Sequence, residues 1–133
     1  MQLKDTQLKI QQLKDKVTQF RDERGWRERN NAKNLAVSLV LEAAELLEHF
    51  QWDDATEEEM KTDKKKKQDI AFEMADCFVY LLAFAQRMEI DIADSVLKKL
   101  KLTAKKYPLS HFNKKHQDIE YYYQVKKKYR EEK

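Results

Sequence analysis

Residues 70 to 85 read IAFEMADCFVYLLAFA, an apolar run interrupted by acids only at Glu73 and Asp76. It is too long for an ordinary strand and free of Gly and Pro, which predicts a helix from near Lys65 to about Met88. Ile70, Cys77 and Phe84 fall at one heptad position and Met74, Leu81 and Met88 at the other, which reads as a continuous core stripe. Working back along the chain, LAVSLVLEAAELLEHF at residues 35 to 50 has the same character. Leu39, Ala43, Leu46, Leu47 and Phe50 recur at three- and four-residue intervals, predicting a helix over residues 32 to 51.

Each of these helices carries one pair of acids at the same spacing. Glu42 and Glu45 are the only ionisable side chains between Leu35 and Leu47. Glu73 and Asp76 are the only ones between Ile70 and Ala85 apart from Cys77 and Tyr80. Residues three apart on a helix lie about 60° apart around its axis, so each pair points one way. Carboxylates set among Leu, Val and Ala are costly unless paired, protonated or bound to metal, and few cations lie within these segments. One such pair would read as the solvent edge of an amphipathic helix. Two pairs in the two most apolar helices point to a divalent cation, and an all-oxygen ligand set suits Mg²⁺, with Mn²⁺ as a substitute. A di-iron site would call for a His three residues after a ligand Glu, and His49, His111 and His116 do not fit. Magnesium on carboxylates at an open helix face keeps waters and takes phosphates, which directs attention to phosphoryl chemistry. Glu48, one turn beyond Glu45, is a further candidate. Trp26 and Trp52 are candidates to stack on a base, and Tyr80, four residues after Asp76, falls on the acid-bearing side.

The rest of the chain fits an all-α, four-helix bundle-like domain. With 133 residues, one Gly and one Pro, there is little to punctuate loops. A first helix is expected over residues 3 to 24, with Leu3, Ile10 and Val17 at one heptad position and Thr6, Leu13 and Phe20 at the other, stopping at Gly25. Asp53 to Glu59 reads as a connection with a short helical turn capped by Asp54 or Thr56. Asp91 reads as the N-cap of a fourth helix, with Asp94 at its third position and an end near Pro108. The expected domains are a catalytic unit at 1–108 and a basic tail at 109–133, with a short docking helix at most. Residues 98 to 133 carry twelve Lys/Arg against four Asp/Glu, a balance that reads as a solvated face and not as a nucleic-acid contact. A 38% share of charged residues predicts a core shared between copies of the chain. The single Cys77 excludes an intrachain disulfide and reads as a small hydrophobe. No run spans a membrane and the first ten residues lack a signal-peptide core, so the expectation is a cytoplasmic protein.

RDERGW at residues 21 to 26, KNLAVSLVLEAAELLEHFQW at 33 to 52, EMADCFVYLL at 73 to 82 and KYP at 106 to 108 together resemble the MazG-like all-α NTP pyrophosphohydrolases, in their dCTP pyrophosphatase-like branch. The resemblance implies hydrolysis of a nucleoside triphosphate to the monophosphate and pyrophosphate. It implies Glu42, Glu45, Glu73 and Asp76 as magnesium ligands, with Glu42, Glu45 or Glu48 orienting the water. It places Trp26, Asn30, Trp52 and Tyr80 at nucleotide contacts, in a homodimer or homotetramer, while Lys33, Lys99 and Lys106 are candidate phosphate partners on charge grounds. Asn30-Asn31-Ala32 stands where the family carries His-x-Pro, Thr103 where it often has Asn, and Val17 where its dCTP-directed members have His, so the base is left open. The competing expectation is a non-catalytic helical interaction module with a vestigial metal site.

Overall fold

The computed structural model describes residues 4–132. Its elements are α1 (Ile10–Asp22), α2 (Ala32–Gln51), α3 (Glu57–Thr62), α4 (Lys64–Arg87), α5 (Ile92–Lys106), β1 (Phe112–Asn113), β2 (His116–Gln117) and α6 (Ile119–Glu131). The chain forms two compact units, Met1–Ile90 and Asp91–Lys133. The all-α class holds, with six helices among the described residues where four were expected. No helix of the described residues is long and apolar enough to cross a membrane.

In the first unit α4 is the spine, packed by α1, α2 and α3. α2 starts where Asn31 accepts a hydrogen bond from the Asn34 amide, and α4 where Asp63 accepts one from Lys66. Short polar side chains thus satisfy the orphan donors of each first turn. The connection between these helices holds α3, capped by Thr56 and Glu59 in a reciprocal capping box. An ion pair of 2.7 Å from Lys66 to Asp53 closes it. Gly25, at φ +65, turns the chain after α1. α4 ends with Glu89 in the left-handed region at φ 54 while the Ile90 amide reaches back to the Ala85 carbonyl at 2.8 Å, a Schellman-type stop made without glycine.

Two expectations are corrected. The first helix begins at Ile10 and not near residue 3; Thr6 lies in a turn, and Leu3 lies outside the described residues. The stripe on α4 is not continuous core: Leu82, Ala83 and Ala85 are buried with Leu35 and Met60, whereas Met74, Leu81 and Met88 are exposed. The cause is that α4 is apolar on more than one side, and a single chain covers only one of them. α2 behaves alike, burying Leu35 to 1% exposure while Val37, Val40, Leu41 and Leu47 face out.

The second unit holds α5, whose N-cap Asp91 accepts from the Asp94 amide at 2.8 Å. A two-stranded antiparallel hairpin then pairs Phe112 with Gln117 and Asn113 with His116. α6 follows at full length, where only a short helix was expected. Asp118 caps α6 and bonds His111 at 2.8 Å, and the His111 ring stacks on Tyr121 at 3.9 Å.

Leu35 is the largest fully buried side chain, so Leu35→Ala is expected to lower stability by about 2–5 kcal/mol. Urea unfolding of the two proteins side by side measures this, and a loss under about 1 kcal/mol would mean the core lies elsewhere.

Candidate metal centre

Glu42 comes from the middle of α2, and Glu73 and Asp76 from adjacent turns of α4. The packing of α2 on α4 brings one oxygen of each to within 4.8 Å of the others. Glu42 and Glu73 are half-buried and Asp76 is exposed. Burial first, then the charges of Glu45, Asp76 and Glu73, holds the Glu42 carboxyl above its ordinary value. Among the described residues none of these four acids forms an ion pair. Two like charges at about 4 Å repel by about 1 kcal/mol in water and by more where solvent is partly excluded. The fold therefore gathers acids at a cost and provides no protein cation to offset it. An oxygen-only set of this kind fits a hard divalent cation and does not fit a thiol- or imidazole-seeking metal.

Glu45 lies near enough to act on Glu42 but stands outside the three-acid group, and Glu48, a turn further on, is exposed. Cys77 is pushed up by burial and then by Glu42, which fits an inert thiol. Tyr80 is half-buried, one turn beyond Asp76 on α4. Trp26 lies in the loop after α1, its ring edge-on to Phe20 at 5.9 Å, and Asn30 is half-buried at the end of that loop. Lys33 is exposed in the first turn of α2. Trp52, at the C-cap of α2, is 87% exposed. Lys99 and Lys106 belong to the second unit, Lys99 exposed on α5 and Lys106 with its ammonium 3.5 Å from the centre of the Tyr129 ring.

One residue was missed. Arg21 is the buried charged side chain of the described residues, at 6% exposure. The signal was present, since Leu13, Val17 and Arg21 recur at four-residue intervals and Arg21 ends the apolar stripe of α1. An arginine at the end of a helix reads by default as solvated.

The MazG-like family matches residues 37–125. The dCTP pyrophosphatase 1 of Mus musculus is 33% identical over 92 residues, 68% of this chain and 54% of that protein. That of Homo sapiens is 32% identical over 91 residues, with the same shares. The chain spans about half the length of the curated relatives it matches. Among solved structures, a pyrophosphatase from Archaeoglobus fulgidus DSM 4304 superposes with a TM-score of 0.68 at 36% identity, covering 80% of this chain and 99% of that one. Helix order, acid spacing and these likenesses agree: the chain belongs to the MazG-like family.

Proposed function

We propose that this chain is a magnesium-dependent nucleotide pyrophosphohydrolase, converting a deoxynucleoside triphosphate of cytidine type or with a modified base to the monophosphate and pyrophosphate, and so clearing it from the nucleotide pool. The observation that carries this reading is the group of Glu42, Glu73 and Asp76, three carboxylates without a protein cation. The relatives named for dCTP and pyrophosphate chemistry support the substrate class.

In the reaction the water oxygen bonds to the α-phosphorus and the bridging oxygen leaves with the β-phosphate as pyrophosphate. A bound divalent cation supplies neutralisation of the phosphate chain and activation of the water. Glu42, Glu73 and Asp76 would hold it from two helices, and Glu45 stands one turn from Glu42 to complete the set. Glu45 or Glu48 is placed on the same helix to accept the proton of the attacking water. Trp26 would offer a ring face to the base, Asn30 an amide that hydrogen-bonds base or sugar, and Tyr80 the wall beside Asp76. Trp52, largely exposed, suits a contact completed by a second copy of the chain. The outward apolar faces of α2 and α4 support a homodimer or homotetramer. Lys33, Lys99 and Lys106 are proposed as phosphate partners on charge alone.

Pyrophosphate release from a panel of natural and modified deoxynucleoside triphosphates is expected to require Mg²⁺. It should fall by at least about 100-fold in Glu73→Gln and Asp76→Asn. Release that persists without divalent metal, or at the same rate in both variants, would remove the reading.

Glu42 gives a second expectation with a definite sign. Its raised pKa means that the metal-free fold is weakened as pH rises out of the ordinary carboxylate range. Glu42→Gln should therefore leave the metal-free melting temperature unchanged or higher near neutral pH, while abolishing the upward shift that Mg²⁺ gives the parent chain. Metal binding should release more protons the lower the pH, the release fading as pH rises, because the ligand must be ionised. Calorimetric titration in two buffers of different ionisation heat reads this directly. A metal-free Glu42→Gln protein that melts well below the parent would show that the carboxylate is a structural partner.

A further inference from the structure

Arg21 is the one buried polar or charged residue among the described residues, and its Nε atom has no hydrogen-bond partner. It also forms no ion pair among the described residues. The acid that acts on it is its chain neighbour Asp22, and Arg27, Arg87 and Tyr80 are its other charged or titratable surroundings. A guanidinium stays charged in a protein, so burying it without a carboxylate is costly. Met or Leu at this position would extend the Leu13–Val17 stripe without that cost. Stability of α1 therefore does not explain the residue, and its bonds do.

The Trp26 amide donates to the Arg21 carbonyl at 3.0 Å, and the Asn30 amide donates to the Trp26 carbonyl at 2.9 Å. The Arg21 guanidinium Nη2 then donates to the Asn30 carbonyl at 3.3 Å. These three bonds close a ring that runs from α1 through Trp26 to Asn30 and back. Arg87 adds a tie from α4, donating from Nη1 to the Arg27 carbonyl at 3.3 Å. The Asn30 side-chain amide takes no part in any of these bonds, so its backbone is held while the amide stays available to a ligand.

We propose that Arg21 is a positioning residue for nucleotide recognition, its guanidinium closing the ring that fixes Trp26 and Asn30 as a rigid wall for the base and sugar. The proposal rests on the reading above that Trp26 and Asn30 contact the nucleotide. It explains why a buried cation is kept: the long arginine side chain reaches from the last turn of α1 to the far end of the nine-residue connection between Asp22 and Ala32. Arg21 itself touches no reacting atom in this scheme. Its effect should fall on binding and base choice and leave the chemical step intact.

The test compares Arg21→Gln and Arg21→Lys with the parent chain by two independent readouts. In steady-state hydrolysis with Mg²⁺, Arg21→Gln should raise KM about tenfold with kcat little changed, and should flatten the ranking among bases. Arg21→Lys, which keeps the charge and one donor, should recover part of the loss. Hydrogen exchange of the nucleotide-free protein should show faster exchange for residues 24–31 in Arg21→Gln and an intermediate rate in Arg21→Lys, with α2 and α4 protected as before. Unchanged exchange in that loop would overturn the proposal, as would an unchanged KM and base ranking. So would a loss confined to kcat. Should Arg21→Gln fail to fold, Arg21→Lys decides alone, parental exchange and kinetics there counting against the fork. If the parent chain releases no pyrophosphate, the functional reading falls while the exchange measurement still judges the strut.

Discussion

Repulsion among carboxylates on two packed helices is the constraint to which the first unit is built. Glu42, Glu73 and Asp76 come together only because α2 lies against α4, and their mutual charge works against that packing. What holds the helices lies further along. Leu35 is two turns before Glu42, and Leu82, Ala83 and Ala85 are two to three turns after Asp76, so the buried apolar contacts sit roughly 10 Å along the axes from the acids. Apolar burial toward one end of the helix pair sustains an electrostatically unfavourable arrangement at its middle. Local strain or repulsion kept in place by surrounding packing is a mark of functional sites.

The same economy accounts for the outward faces. A chain with 38% charged residues has few apolar side chains to distribute, and α2 and α4 carry most of them on more than one side. One side forms the core around Leu35 and Leu82. The other, with Val40, Leu41, Phe72 and Met74, is left open by the single chain at exposures above one half. A monomeric fold under no other demand would place polar residues there.

Much of this was legible in the residues, and the exceptions have physical causes. The bounds of α2 followed from an apolar period at three- and four-residue intervals and from the acidic stretch that breaks it, whereas the Asn31 cap emerged only in the structure. α4 and the Asp91–Asp94 cap were equally plain, because capping chemistry is local and needs no tertiary information. The start of α1 was placed too early because Thr6 fits a heptad, whereas residues 5–7 form a turn and the helix begins only at Ile10. The hairpin at residues 112–117 carries no Gly signal: the Asn113 side chain itself accepts from the Lys115 and His116 amides and turns the chain. At the site, the three acids were readable because charge in an apolar run is conspicuous. Arg21 was not, because its importance lies in a bond to a carbonyl nine residues away, and sequence period cannot see where a side chain ends.

The graded exposure of the three acids bears on how such a centre could work. Were all three deeply buried, desolvation would protonate them and a cation would meet neutral acids. Were all three exposed, solvent screening would relax the repulsion and leave little affinity for any ion. Glu42 and Glu73 half-buried, with Asp76 open to solvent, fall between these limits. The inner pair keeps enough mutual charge to favour a cation, while the outer acid leaves a side from which water and a phosphate chain can complete the coordination. In the same unit the Asn30 backbone is tied to Arg21 and Trp26, and Tyr80 lies one turn beyond Asp76 along α4. A centre with a half-buried inner pair of carboxylates and one open outer acid is suited to a hard cation that still has room for waters and a polyanionic ligand.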